Sequence, residues 1–290
     1  MNTTEGDGLG LSSSIRYIIG VDEAGRGCMA GPVGVAAVLY RISATPVHYV
    51  VMDSKKMNES VRAETLAAMC AELSDGGGDH FLETAMQDGA CCLVRYQQRQ
   101  PLQAMAVVLV DVGVINERNI LNATLEGMSA VCDTLVRSYN ALRGPKTLTP
   151  LTCAILIDGN RVPWTFLSCE ARQQVHALSV KKPESRKRIG VQYPSLDGFR
   201  SMTVVKGDAT LLSIAAASVV AKVTRDAYAV AVMHRELPQY GFDRHKGYCT
   251  AAHKAELAKW GPSRFHRLDY SPVKMVCEEK SAPQHVPLHR

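Results

Sequence analysis

The chain has 290 residues, 46% of them hydrophobic and 21% charged, with a formal net charge of +5 at pH 7. This composition supports a real buried core and excludes a disordered chain, and the mildly basic balance suits a polyanionic partner without demanding one. Nine cysteines without a CxxC pair argue against a zinc ribbon or a disulfide framework, and no run of about 18 apolar residues marks a membrane span.

In chain order, residues 1–13 are rich in Gly, Ser and Thr and read as a flexible lead. Met1 to Ser14 has no arginine and no signal-peptide core, so the cysteine usage places the protein in a reducing intracellular compartment. The cytoplasm is the first expectation, with nucleus and mitochondrion open. Residues 15–21 and 33–40 read as strands joined by a Gly-rich stretch containing Pro32. Residues 59–73 have helical spacing of apolar positions, and 84–104 looks loop-like. Ile120, Leu121, Leu125, Met128 and Val131 predict one long helix over 114–138. The run CAILI (153–157) suits a central strand that ends at Asp158-Gly159-Asn160. Residues 163–200 read as an insertion; its run KKPESRKR (181–188) is a solvated surface or an auxiliary phosphate contact. A strand at 202–205 leads into Lys206-Gly207-Asp208, then an Ala-rich helix over roughly 210–235 and another over 250–259. Residues 277–290 lack a packing pattern and read as a tail. The order predicts a mixed α/β sheet within one unit, 14–276, with 84–104 and 163–200 as insertions.

Three predicted strands lead to aspartates: Asp22, Asp158 and Asp208. One alone is as readily a turn or helix-cap residue. Three, with Glu23 beside the first, form a set of carboxylates that would repel one another and that a divalent cation would reconcile. Hard oxygen ligands point to Mg²⁺ or Mn²⁺. Successive strand residues face opposite sides, so a shared site for Asp22 and Glu23 predicts that the strand ends by Glu23.

Gly25-Arg26-Gly27 follows at once and brings backbone close to a ligand, or is a plain turn. It is not a P-loop, because no Gly-Lys-Ser/Thr follows. In YGFDRHKGYCTAAH (240–253), Tyr248 lies near Lys246 and His245, either as packing or as a base- and phosphate-binding cluster. Asp53-Ser54-Lys55-Lys56 is a helix-start turn or a phosphate-facing segment. His245, His253 and His266 have spacing too irregular for a zinc site, and no GxSxG supports a serine hydrolase.

Together these segments resemble ribonuclease HII, the type 2 ribonuclease H family, in its bacterial-type single-chain branch. The resemblance rests on GVDEAGRG (20–27), AGPV (30–33), DSKKM (53–57), INERNILNATLEGM (115–128), ILIDGN (155–160), VVKGD (204–208), IAAASVVAKVTRD (214–226), YGFDRHKGY (240–248), GPSRFHR (261–267) and SPVK (271–274). It implies a ribonuclease H-like α/β fold, a mixed sheet flanked by helices, with a C-terminal helical extension. It implies an endonuclease, expected to act as a monomer, that cuts the RNA strand of RNA/DNA hybrids and single ribonucleotides embedded in duplex DNA. The ends are 5′-phosphate and 3′-hydroxyl, and two ions, Mg²⁺ or Mn²⁺, assist. Asp22, Glu23, Asp158 and Asp208 match the catalytic, metal-binding carboxylates. Gly25, Arg26 and Gly27 match a loop that reads the ribose 2′-hydroxyl largely through backbone groups. Tyr248 matches a tyrosine at the ribonucleotide–deoxyribonucleotide junction, and Ser54, Lys55 and Lys246 are expected at the substrate. Cys28 and Met29 depart from the family's usual small or proline residue, with an effect expected on packing. Two other readings stand beside this one: an inactive nucleic-acid-binding relative, against which the full acid set argues, and another metal nuclease of the same fold, against which the glycine loop and Tyr248 argue.

Overall fold

The structure, a computed structural model, describes residues 11–42, 47, 49, 57–74, 77–95, 100–167 and 193–281. Ser54, Lys55, the run 181–188, most of the N-terminal lead and residues 282–290 lie outside the described residues. Six strands form one sheet: β1 (Tyr17–Ala24), β2 (Val33–Arg41), β3 (Ala90–Val94), β4 (Leu102–Val110), β5 (Cys153–Asp158) and β6 (Arg200–Val204), in the order β3-β4-β2-β1-β5-β6. β3, β4, β2 and β1 pair antiparallel; β5 and β6 add to β1 in parallel. β2 (VGVAAVLYR) and β4 (LQAMAVVLV) are apolar runs rather than alternating ones because helices cover both faces of the sheet.

Among the described residues the longer helices are α1 (Glu59–Leu73), α2 (Gly77–Asp88), α3 (Val112–Arg118), α4 (Ile120–Arg143), α5 (Leu212–Tyr228), α6 (Ala251–Trp260) and α7 (Ser271–Ser281), with one-turn helices at Gly207–Thr210 and Phe242–His245. α4 covers one face, where Val131, Cys132, Leu135 and Tyr139 meet Ile19, Val21, Val35 and Ile155. α5, with α1 and α2, covers the other through Ala215, Ala216, Val219 and Val220. Small residues let α5 lie against the strand backbone. A Cβ on Gly20 would stand 2.1 Å from the Ser213 carbonyl carbon, and one on Gly34 would stand 2.8 Å from Ala221 O.

Several expectations hold: α1 matches 59–73, and β1, β2, β5 and β6 fall on the expected runs. Others need correction. The stretch 84–104 is not a loop; it holds the end of α2, all of β3 and the start of β4. The polar Gln103 in β4 is reconciled with burial because Tyr139 Oη donates to its Oε1 at 3.0 Å and its Nε2 donates to Gln100 O at 2.7 Å. The helix expected over 114–138 is two helices. Asn119 takes a left-handed φ of 64° between α3 and α4, and its side chain accepts from the N–H groups of Leu121 and Asn122. β1 does not end by Glu23 but pairs with β2 out to Ala24↔Gly34; only its pairing with β5 stops, at Val21↔Ile157. Asp208 is not at a strand end either: it lies beyond β6, in the one-turn helix Gly207–Thr210. α5 runs on into a π-helical turn, Ala229–His234, and residues 277–281 belong to α7 rather than a tail.

The C-terminal segment builds a satellite core beside the β1–β2 connection. Ala30 meets Met233, Tyr240, Phe242 and Phe265, and Met29 meets Leu257 and Val273. Cys28 and Met29 are fully buried, as a packing role requires.

Candidate active site

Strand alternation sorts the acids. Ile19 and Val21 face α4, so Glu23 does too; Gly20 faces α5, so Asp22 follows it there. Asp22 is 5% exposed, bonded to Ser218 of α5, with its Oδ1 accepting from Glu23 N at 2.7 Å. Because β5 stops pairing at Val21↔Ile157, the next residues in register are Asp22 and Asp158. Asp158 Oδ1 accepts from Gly207 N at 2.8 Å and Asp208 N at 3.4 Å, which ties the end of β5 to the buried Asp208. Burial, then the charges of Glu23 and Asp158, hold the Asp22 carboxyl well above the usual carboxylate range. A cavity of about 330 Å³ opens at this end of the sheet, lined by Glu23, Arg26, Thr124, Met128, Asp158 and Arg161 among others.

The donor set, all carboxylate oxygen and mutually repelling, fits a hard divalent cation. Among the described residues no three acidic, His or Cys side chains form a closed cage.

The glycine loop sits beside these acids. Arg26 pairs with Glu23 at 3.0 Å, so the loop's cation rests on a site carboxylate. Gly25 has φ 89°, and a Cβ there would strike Arg225 Nε at 2.7 Å. Gly27 is different: a Cβ there would meet nothing within 4 Å. Cys28 bridges to Tyr248, which brings loop and tyrosine together. The cations against Tyr248 are not the expected Lys246 and His245. Lys222 Nζ lies 4.7 Å from the ring centroid and donates to its hydroxyl at 3.2 Å, while Arg225 Cζ lies 5.4 Å from the centroid. Lys246 Nζ instead donates to Asp243 O and stands 4.0 Å from Glu59.

Sequence reasoning missed Ser218, Lys222 and Arg225. Their spacing of four and then three residues places them on one face of α5, a signal that was available. Arg267 and Tyr270, which touch the loop from the C-terminal segment, gave no such signal.

The three histidines do meet, despite their irregular spacing. His245 stacks on His253 with centroids 4.1 Å apart. Ser263 N–H donates to His266 Nδ1, so the His266 proton is on Nε2 and points to His253 Nε2 at 3.2 Å. His253 then carries its proton on Nδ1 and donates to Tyr248 O at 2.9 Å. Burial is the largest cause that pushes His253 down to about 3 and His266 to about 4, with the other histidines' charges adding to it. His245, which also faces Arg225, Arg244 and Asp243, is lowered chiefly by burial. Between pH 6.5 and about 4 the unfolded chain therefore binds protons that the native chain refuses. The histidines' contribution to stability is full above pH 6.5 and falls as the pH drops, by at most about 1.4 kcal/mol per pH unit for each, while the raised Asp22 works in the opposite direction. Chemical unfolding at stepped pH should show this slope, and His266→Asn should flatten it; equal slopes would count against the relay.

A mixed sheet with Asp22 and Asp208 buried and Glu23 and Asp158 half-buried at one end, beside an open glycine loop and a tyrosine, is an arrangement suited to phosphodiester hydrolysis assisted by divalent cations. A family model described as "Ribonuclease HII" matches residues 19–135 and 171–273, a span that takes in Asp22, Glu23, the loop, Asp208 and Tyr248 but not Asp158. The ribonuclease HII of Xylella fastidiosa (strain M12) is 32% identical over 93% of this chain and 84% of its own length, and that of Dechloromonas aromatica (strain RCB) is 34% identical over 89% and 93%. Among solved structures, ribonuclease H2 from Pyrococcus horikoshii OT3 aligns at 17% identity over 91% of this chain and 98% of its own, with a TM-score of 0.40. Bst-RNase HIII in complex with Mn²⁺ aligns at 18% over 92% and 71%, with a TM-score of 0.48. The chain belongs to the ribonuclease HII family. It is an endoribonuclease of the ribonuclease H type.

Proposed function

We propose that the chain cuts the RNA strand of RNA/DNA hybrids and the 5′ side of single ribonucleotides embedded in duplex DNA. The observation that carries this reading is Gly27: among the described residues no atom lies within 4 Å of where its Cβ would stand, so its open surface is free for close approach by a sugar. Only a 2′-hydroxyl distinguishes the target nucleotide from DNA, and a loop without side-chain bulk next to the acids is suited to reading it.

Asp22, Glu23, Asp158 and Asp208 are the residues that would hold two divalent cations, Mg²⁺ or Mn²⁺. When bound, such ions neutralise charge on the scissile phosphate and make water a stronger nucleophile. The protein's own part is placement. Ser218 and the Glu23 N–H fix the Asp22 carboxylate, and the backbone of Gly207 and Asp208 fixes Asp158. Arg26 steers Glu23. Tyr248, set by Lys222, packs against the sugar of the junction. The water oxygen bonds to phosphorus, the P–O3′ bond breaks, and the leaving oxygen takes a proton, giving 5′-phosphate and 3′-hydroxyl ends. We further infer that the chain works as a monomer in a reducing, intracellular compartment such as the cytoplasm; eight free thiols among the described cysteines support the latter.

The test uses duplex DNA carrying one ribonucleotide, with Mg²⁺ and with Mn²⁺. Wild type should nick 5′ of that ribonucleotide, and Tyr248→Ala, which keeps the backbone bridge to Cys28, should slow the cut by about tenfold or more. No nick on this substrate or on a hybrid would sink the proposal. Unchanged cutting by Tyr248→Ala would remove the tyrosine from it.

A further inference from the structure

Arg267 is fully buried, yet among the described residues its side chain donates only to uncharged oxygens. Nε donates to Gly31 O at 2.9 Å. Nη1 donates to Arg26 O at 2.9 Å and to Tyr270 Oη at 3.2 Å. Nη2 donates to Gly25 O at 2.8 Å and Pro32 O at 3.1 Å. Tyr270 Oη also donates to Arg26 O. Beneath the same loop, Arg225 Nη2 donates to Ala30 O at 3.0 Å. Burying a guanidinium is costly, and apolar side chains of similar volume would serve stability as well or better. What the guanidinium supplies, and an apolar residue does not, is the orientation of four carbonyl groups in and around the glycine loop.

That orientation has a consequence on the other side of each peptide. In a trans peptide, C=O and N–H point in opposite directions. Drawing Gly25 O and Arg26 O inward turns the N–H groups of Arg26 and Gly27 outward, at the exposed tip where Gly27 leaves space. We propose that Arg267 is a positioning residue for hydroxyl recognition: it fixes the loop so that these outward peptides meet the ribose 2′-oxygen. Tyr270 assists from the same helical extension. The inference rests on the loop being the reader of the 2′-hydroxyl.

The experiment compares two duplexes that differ at one nucleotide, 2′-hydroxyl or 2′-fluoro, and takes the ratio of their kcat/KM values. For wild type the ratio should be large. Arg267→Lys keeps the charge and loses the fork, and should reduce the ratio by about tenfold. A merely structural defect would lower both rates together and leave the ratio intact. Thermal unfolding and Mn²⁺ titration of the same preparations show whether fold and carboxylates are unaffected. If Arg267→Lys does not fold, Tyr270→Phe decides, with an expected drop in the ratio of about threefold. An unchanged ratio in the deciding variant, with a large wild-type ratio, overturns the positioning role. A wild-type ratio near one overturns the reading of the loop itself.

Discussion

Replacing Asp22 with Asn is expected to lower kcat on an embedded-ribonucleotide duplex by about 10³-fold or more while leaving the fold as stable as wild type or more so. The two halves of that result have one cause. Asp22 is buried under α5, and Glu23 and Asp158 add like charge beside it. Asn keeps the shape and an oxygen for the Glu23 N–H, so the backbone contact survives. It removes a charge that the fold tolerates poorly and that a cation needs. Single-turnover cleavage, with thermal unfolding at pH 7 in EDTA, reads both. A fall of several degrees in Tm would turn the loss of activity into a folding defect and remove the argument.

The second large effect is on the fold. Gly20→Ala should destabilise the protein by about 3 kcal/mol or more, because the new methyl has no soft neighbour to push. It would meet the Ser213 carbonyl carbon at 2.1 Å, its oxygen at 2.4 Å and Ile214 N at 2.5 Å, all backbone. β1 is held between β2 and β5, and α5 is buried among α1, α2 and the sheet, so neither side yields cheaply. If α5 retreats, Ser218 leaves Asp22 and Lys222 leaves Tyr248, so activity falls as well. Scanning calorimetry should show a Tm lower by roughly 6 °C or more. An unchanged Tm would mean that the helix does not press on the strand as described.

These cases show what could be read in the sequence and what could not. The strands and helices signalled by long apolar runs or clean periodicity were legible, among them α1 and β5. Asp22, Glu23, Asp158 and Asp208 were nameable as candidates, because unusual residue types recurred at similar places; that Asp208 lies past its strand, in a one-turn helix, was not. The helix break at Asn119 was not, since it uses neither Gly nor Pro and leaves the apolar spacing on both sides intact. β3 was hidden by its brevity and by the polar stretch that precedes β4. The expectation that β1 must end by Glu23 assumed that both acids had to share a face. The structure instead lets β1 run on while its neighbour β5 stops, so that acids on opposite faces both border the open end. Arg267 was illegible for a different reason: apart from Tyr270, its partners are backbone carbonyls more than two hundred positions away, and backbone atoms leave no residue-type signature.

The order of the strands bears on how the molecule comes to exist. β1, β2, β3 and β4 pair antiparallel within the first 110 residues, so this part of the sheet closes through comparatively local contacts. The far side of β1 has to wait, since Tyr17 pairs with Cys153, and β6 comes later still. Closing those long loops is slow, and until it happens β1 presents an unpaired edge. Asp22 and Glu23 are thus made early and completed last, by segments that emerge from the ribosome after them. A variant that weakens the docking of β5 or α5 loses more than catalytic rate. Such a variant is expected to prolong the life of a half-sheet whose open edge can pair with a second unfinished chain, and an enlarged insoluble fraction on expression is the result that would show it.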